Sequence, residues 1–144
     1  MELQARILGA IIMAMHDFYD AKTNIPQKRV LECQIEGTGA ATPTKKYGPG
    51  VTVTRTSAGL YRFSFSYVPG RFLGCSYCFG AAAPSAVANH DAQHDDLVAA
   101  SGSTEAYVEV LVEDGAAADD LEDEEYLKVD FHFSDSNLIT LGNS

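Results

Sequence analysis

Tryptophan is absent, and cysteine is scarce and odd in number: three Cys in 144 residues. A disulfide scaffold is therefore excluded as the basis of the fold. None is needed, because a domain of this length buries roughly 70% of the surface its unfolded chain exposes. Long apolar runs are also missing. Ile7 to Met15 is the longest, about half of the roughly 20 residues a spanning helix needs. It does not read as an export signal either. Glu2 and a single Arg6 precede it, and no A-x-A site follows before His16 and Asp17. The expectation is synthesis in a cytoplasm without export by that route and no membrane partner.

Basic residues are the third scarcity. The formal net charge is −10 and the pI about 4.6. A free nucleic-acid binder needs a basic footprint, so that class is disfavoured. The deficit is uneven. Residues 1–74 carry nine Lys/Arg against five Asp/Glu, and residues 75–144 carry one (Lys128) against fifteen. The halves are thus +4 and −14, a split that predicts either a dipolar molecule suited to head-to-tail or like-with-like assembly, or simply solvated loops.

What is present is a normal globular mixture, 46% hydrophobic and 21% charged, enough for one domain. Leu3, Ile7, Leu8, Ile11, Ile12, Met15 and Phe18 recur at three and four, one face of a helix over about 17 residues. Beyond Asn24 and Pro26 the period changes to two. Val30–Glu36, Val51–Arg55, Leu60–Tyr67, Arg71–Phe79, Glu105–Asp114 and Glu125–Phe133 read as strands, with Leu97-Val98 as a short seventh. Leu60–Tyr67 places Tyr61, Phe63, Phe65 and Tyr67 on one face. Thr56–Gly59 is a hairpin signal, residues 37–50 a turn-rich loop, and Gly115–Glu124 a small acidic loop. No βαβ alternation is present. The predicted fold is mainly β, an antiparallel β-sandwich or jelly-roll-like domain over 25–144, with an N-terminal helical or extended arm over 1–24.

Motifs with chemistry are few. Cys75 and Cys78 have C-x-x-C spacing, but in a strand positions three apart face opposite ways, and Cys33 is the sole further thiol. They read as small apolar side chains rather than a redox or zinc pair. His90 and His94, within Asn89–Asp96, would share a helical face and bind zinc with Asp91 or Asp95, yet no H-E-x-x-H is present; a solvated loop is the plainer reading. The acidic run Asp114, Asp119, Asp120 and Glu122–Glu125 lacks the register of a calcium loop and reads as a repelling loop. No nucleophile elbow, P-loop or dinucleotide fingerprint occurs. The expectation is a non-enzyme without metal or cofactor.

Gly50-Val51-Thr52-Val53-Thr54-Arg55-Thr56-Ser57-Ala58-Gly59-Leu60-Tyr61-Arg62-Phe63 resembles a recurring pattern, roughly G-v-x-V-T-R-T-x-x-G-x-Y, in small structural proteins of tailed bacteriophages. The similarity continues through Arg71–Gly74, Asn89-His90-Asp91 and a last strand ending near Ser134–Leu138, about residues 48–138 in all; Cys75/Cys78 and the acidic loop depart from it. The resemblance implies a virion protein of the capsid decoration or cement type. Such a protein binds the major capsid protein on the outer shell and forms a homo-oligomer, commonly a trimer. On that reading the contact residues are Ile7, Ile11, Ile12, Met15 and Phe18, with Lys45, Lys46 and Arg71 as a basic set. The competing expectation is a tail- or fibre-associated module that reads a host glycan through Tyr47, Tyr107 and the 89–96 loop. A metal-dependent hydrolase built on His90 and His94 ranks last.

Overall fold

The computed structural model describes residues 28–82 and 90–134. The proposed arm, with Ile7, Ile11, Ile12, Met15 and Phe18, lies outside these residues, as do Asn89 and the tail beyond Ser134. The described residues form nine strands: β1 (Lys28–Glu36), β2 (Thr44–Tyr47), β3 (Val51–Ser57), β4 (Leu60–Phe65), β5 (Arg71–Ala81), β6 (His90–His94), β7 (Ala106–Asp114), β8 (Ala117–Ala118) and β9 (Glu125–Ser134). Two antiparallel sheets result. One has the order β2-β1-β9-β5; the other has the order β3-β4-β7-β6, with β8 paired to the end of β7. They pack face to face as a β-sandwich. Among the described residues no helix is long and apolar enough to cross a membrane.

Alternation decides which side chains go inside. Along β9, Leu127, Val129, Phe131 and Phe133 point inward and are fully buried, while Tyr126, Lys128, Asp130 and His132 point outward. Across the gap, β4 supplies Tyr61, Phe63 and Phe65 and β7 supplies Val108, Val110 and Val112. Phe131 meets Phe63 at 5.2 Å between ring centroids and Phe65 at 4.9 Å, the latter edge-on. Phe65 also meets Phe133 at 5.8 Å. Edge-to-face contacts of this kind add about 0.5–1.5 kcal/mol each beyond area burial.

The hairpin between β3 and β4 closes through Ala58-Gly59. Gly59 has φ +67°, and a Cβ there would sit 2.5 Å from the carbonyl oxygen of Val112. Only glycine supplies both the left-handed backbone and the clearance.

Four expectations are corrected. Tyr67 does not continue the face of Tyr61, Phe63 and Phe65; β4 stops at Phe65, before Val68-Pro69-Gly70, and Tyr67 is 71% exposed. The 37–50 loop contains β2, which reads as loop because all four of its residues are exposed. Leu97-Val98 forms no strand, only an isolated bridge from Val98 to Tyr107. The strand lies instead in the histidine cluster, as β6.

Phe131 touches Phe63 and Phe65 of the facing sheet, so truncating it opens a cavity between the layers. Phe131→Ala is expected to cost about 3–5 kcal/mol of unfolding free energy, read from urea denaturation monitored by far-UV circular dichroism. A loss under about 1 kcal/mol would mean that the sheets do not meet there.

Candidate functional site

The basic set is not one patch. Lys45 and Lys46 lie on β2, at one edge of their sheet, and Arg71 begins β5 at the opposite edge. Three strand spacings, roughly 14 Å, separate them. Lys45 is also committed internally, its Nζ donating to the carbonyls of Gly48 (3.1 Å) and Val51 (2.8 Å). Lys46 pairs with Glu36 at 2.8 Å on the surface, an interaction worth little. Among the described residues Arg71 is exposed and makes no ion pair.

The strand order nevertheless sorts charge laterally. β1 to β4, from the basic half of the sequence, occupy one side of the sandwich in both sheets, and β6, β7 and β9 occupy the other with the acidic loop. Ion pairs mark the boundary. Arg62 reaches Glu109 across the β4–β7 pairing (2.7 Å) while its guanidinium lies 4.0 Å from the Tyr107 ring centroid. Lys128 approaches Glu32 across β9–β1 at 3.5 Å. Arg55 grips Asp120 with two bonds of 2.8 and 2.9 Å, and the amide of Gly59 donates to the same carboxylate at 2.9 Å. The Arg55 hydrogen bonds hold the Asp120 carboxyl below its ordinary value. The acidic loop is therefore partly anchored: Leu121 is fully buried and its amide donates to the Tyr61 hydroxyl at 2.8 Å.

The histidine cluster forms a seam. In β6 the residues His90, Ala92 and His94 point toward the interior, while Asp91 and Gln93 point out. The i,i+4 pair thus shares one face through strand period, not helical period. His90 Nε2 lies 2.6 Å from Glu125 Oε2, with side chains only 1% and 8% exposed, and the ring packs on Phe79 at 5.5 Å. His94 Nδ1 lies 2.5 Å from the Tyr77 hydroxyl. Burial keeps that hydroxyl protonated far above neutral pH. Both links cross from one sheet to the other and clasp β6 to the β5 side. His90 and His94 therefore occupy neither a solvated loop nor a shared helical face, and Glu125 is a buried partner rather than part of a repelling run. Among the described residues no three His, Cys, Asp or Glu side chains group to hold a metal ion.

Cys75 packs against the core and Cys78 is exposed on the opposite face, as their spacing in a strand requires. Burial pushes the Cys75 thiol up to about 12 and Cys33 up to about 11, which leaves both poor nucleophiles.

A notch opens at the outer corner of the β1-β9-β5 sheet, where a bulge between Phe72 and Gly74 interrupts the β5–β9 register. Its volume is about 340 Å³, and Lys28, Leu73, Gly74, Cys75, His94 and His132 line it. An adjoining hollow of about 200 Å³ shares Leu73, Gly74 and His94 and adds Phe72, Asp95 and Asp96. His132 Nε2 lies 2.9 Å from Ser76 Oγ, and its Nδ1 is buried without a partner. Burial first, and the neighbouring Lys28 charge second, lower the His132 pKa. This notch was not legible in the sequence, because the bulge that builds it carries no turn residue other than Gly74.

Of the proposed glycan-contacting aromatics, Tyr47 is 55% exposed on β2, whereas the Tyr107 ring is covered by Arg62. No protein-family model, curated protein or solved structure matches the chain.

Two outcomes are expected. Glu125→Ala should cost about 3–5 kcal/mol by leaving His90 buried and unpaired, whereas the double replacement His90→Leu/Glu125→Leu should recover most of that loss. Guanidinium denaturation of both variants checks this; equal losses would dismiss the seam as an energetic unit. Because the folded-state Asp120 pKa is depressed, its stabilisation is fully present above about pH 4 and fades as pH falls further, through the folded-state value. The stability gap between wild type and Asp120→Asn should therefore shrink on acidification below that point. A gap that stays constant down to the acid transition would contradict the linkage.

Proposed function

We propose that the chain is a structural subunit of a tailed-phage virion, of the capsid decoration type, acting through contact area rather than catalysis. The carrying observation is the lateral sorting of charge in a sandwich whose β2 and β3 are edge strands among the described residues. Over the described residues 28–65, six Lys/Arg face two Asp/Glu; over 90–134, one faces fourteen. A basic flank on one copy complements an acidic flank on the next, and such a head-to-tail contact is heterologous. Heterologous contacts close into rings when the rotation permits, and a trimer on a local threefold axis of a shell is a ring of this kind. The hairpin carrying the resemblance, β3–β4, sits on the basic flank, with Lys46 and Tyr47 beside it on β2.

Each contact needs to approach the standard size of about 1,600 Å² to be stable. The arm over 1–24 is the proposed source of the apolar share, through Ile7, Ile11, Ile12, Met15 and Phe18, with the major capsid protein as the partner beneath. The virion is then the proposed location. The glycan-reading alternative has lost Tyr107 as a free platform, and no other observation at Tyr47 favours it.

Light scattering on the purified chain is the test. A trimer, three times the 15.5 kDa chain, is expected at about 0.1 M salt, where charges are felt over about 10 Å, with partial dissociation near 1 M, where the reach is about 3 Å. Lys46→Glu should shift the equilibrium toward monomer, and removal of residues 1–20 should abolish co-sedimentation with heads while β-sheet circular dichroism persists. A monomer at every salt concentration that also fails to sediment with heads would overturn the reading.

A further inference from the structure

Strand register builds a second hollow, on the outer face of the β3-β4-β7-β6 sheet. Leu60 of β4 stands opposite Leu111 of β7, and Leu111 opposite Gln93 of β6. With Asp95 and Glu109 they line a hollow of about 270 Å³. The two leucines form an apolar strip on a face that alternation otherwise makes polar. Carboxylates border the strip on both sides. On one side Asp95 lies beside Glu109, its amide donating to the Glu109 carbonyl at 3.1 Å. On the other side Asp91 and Glu113 stand directly opposite each other. Like charges so placed repel. Arg62 answers Glu109 at 2.7 Å, but among the described residues no Lys or Arg pairs with Asp91, Asp95 or Glu113.

We propose that this hollow is the docking site for the Lys46 side chain of a second copy of the chain, an inference that rests on the head-to-tail contact proposed above. Shape and charge select the occupant together. A lysine lays its methylene stem along apolar surface and keeps its ammonium among polar groups. Leu60 and Leu111 give the stem a floor, and Asp95 gives the ammonium an uncompensated carboxylate. The hollow is smaller than the roughly 300–1,000 Å³ of small-molecule sites, so it suits a single side chain. Elimination on the basic flank points to Lys46. Of the four cations between Thr44 and Phe65, Lys45 is bound to the carbonyls of Gly48 and Val51, Arg55 to Asp120 and Arg62 to Glu109. Lys46 has a surface pair with Glu36 and a side chain 49% exposed, and such a pair changes partners at little cost. Lys46 belongs to the other sheet, so the pairing forms between copies, and each copy offers both halves of it.

The test is light scattering over a concentration series at about 0.1 M salt, on the full chain and three variants of it. Lys46→Glu and Asp95→Lys should each raise the concentration for half-assembly about tenfold or more, the scale of one lost charge pair at a contact. The double variant Lys46→Glu/Asp95→Lys reverses the pair and should recover most of that loss. Asp95 is exposed, so an unchanged melting temperature for Asp95→Lys is expected and separates docking from folding. Lys46→Glu alone weakens any contact made by the basic flank, which makes recovery in the double variant the decisive readout. A trimer indifferent to Asp95→Lys, or a double variant no better than Lys46→Glu, would overturn this docking and leave the subunit reading in place. A wild-type chain that is monomeric at every concentration would overturn the docking whether or not it binds heads.

Discussion

Phe131 against Phe63 and Phe65 is the contact on which the two layers depend. It joins an inner strand of one sheet to an inner strand of the other, and it fixes the phase of both. Once Phe131 points inward, period two places Leu127, Val129 and Phe133 inward with it, and Glu125 as well. A carboxylate is thereby carried into the interior by the register of its strand, not by its own preference. His90 is the compensation, and the strand that carries His90 is consequently drawn to the seam. The polar links at the seam follow from an apolar decision made near the centre of the sandwich.

The same phase argument explains the outer surface. Gly80 lies beneath the Tyr126 ring, where any Cβ would collide with it, and the bulge at Leu73 changes which face β5 presents on either side of it. Phe72 and Cys75 can therefore both face inward although they are three residues apart. The extra residue also twists an otherwise open edge away from regular pairing, a recognised way of blunting it. The short, lysine-bearing β2 does so at the opposite edge.

Much of the fold could be read from alternation alone. Strands β1, β3, β4, β5, β7 and β9 announce themselves because each has one apolar and one polar face, or β-branched residues between glycine-rich turns. The remaining three were hidden for physical reasons. β2 buries nothing, so no hydrophobic period marks it. β8 has two residues. β6 buries histidines, which carry no apolar signature and look like loop composition. The site was less legible still. Lys45, Lys46 and Arg71 have the same charge, but strand order, which composition does not encode, puts Arg71 at the far edge. Glu125 could have been found: it shares parity with Leu127, and a charged residue on the apolar phase of a strand needs a partner. The notch depends on a bulge between Phe72 and Gly74, which leaves no mark in residue spacing.

The pairing of β1 with β9 has a temporal side. Lys28 stands opposite Ser134, and Glu36 opposite Tyr126, so one flank of β1 waits for the last described strand to be made. Among the described strands β9 is also the sole neighbour of β5 within its sheet. During synthesis the β3–β4 hairpin can form early from local contacts, but the other sheet has no centre until the acidic half emerges. Folding of that sheet is thus a late, non-local event with high loop-closure cost. Until then, Leu31, Cys33 and Ile35 on one strand and Phe72, Tyr77 and Phe79 on another face water together. By then residues 1–124 already carry nine Lys/Arg against seventeen Asp/Glu, so the waiting apolar faces belong to a chain whose net negative charge disfavours self-association while they are open.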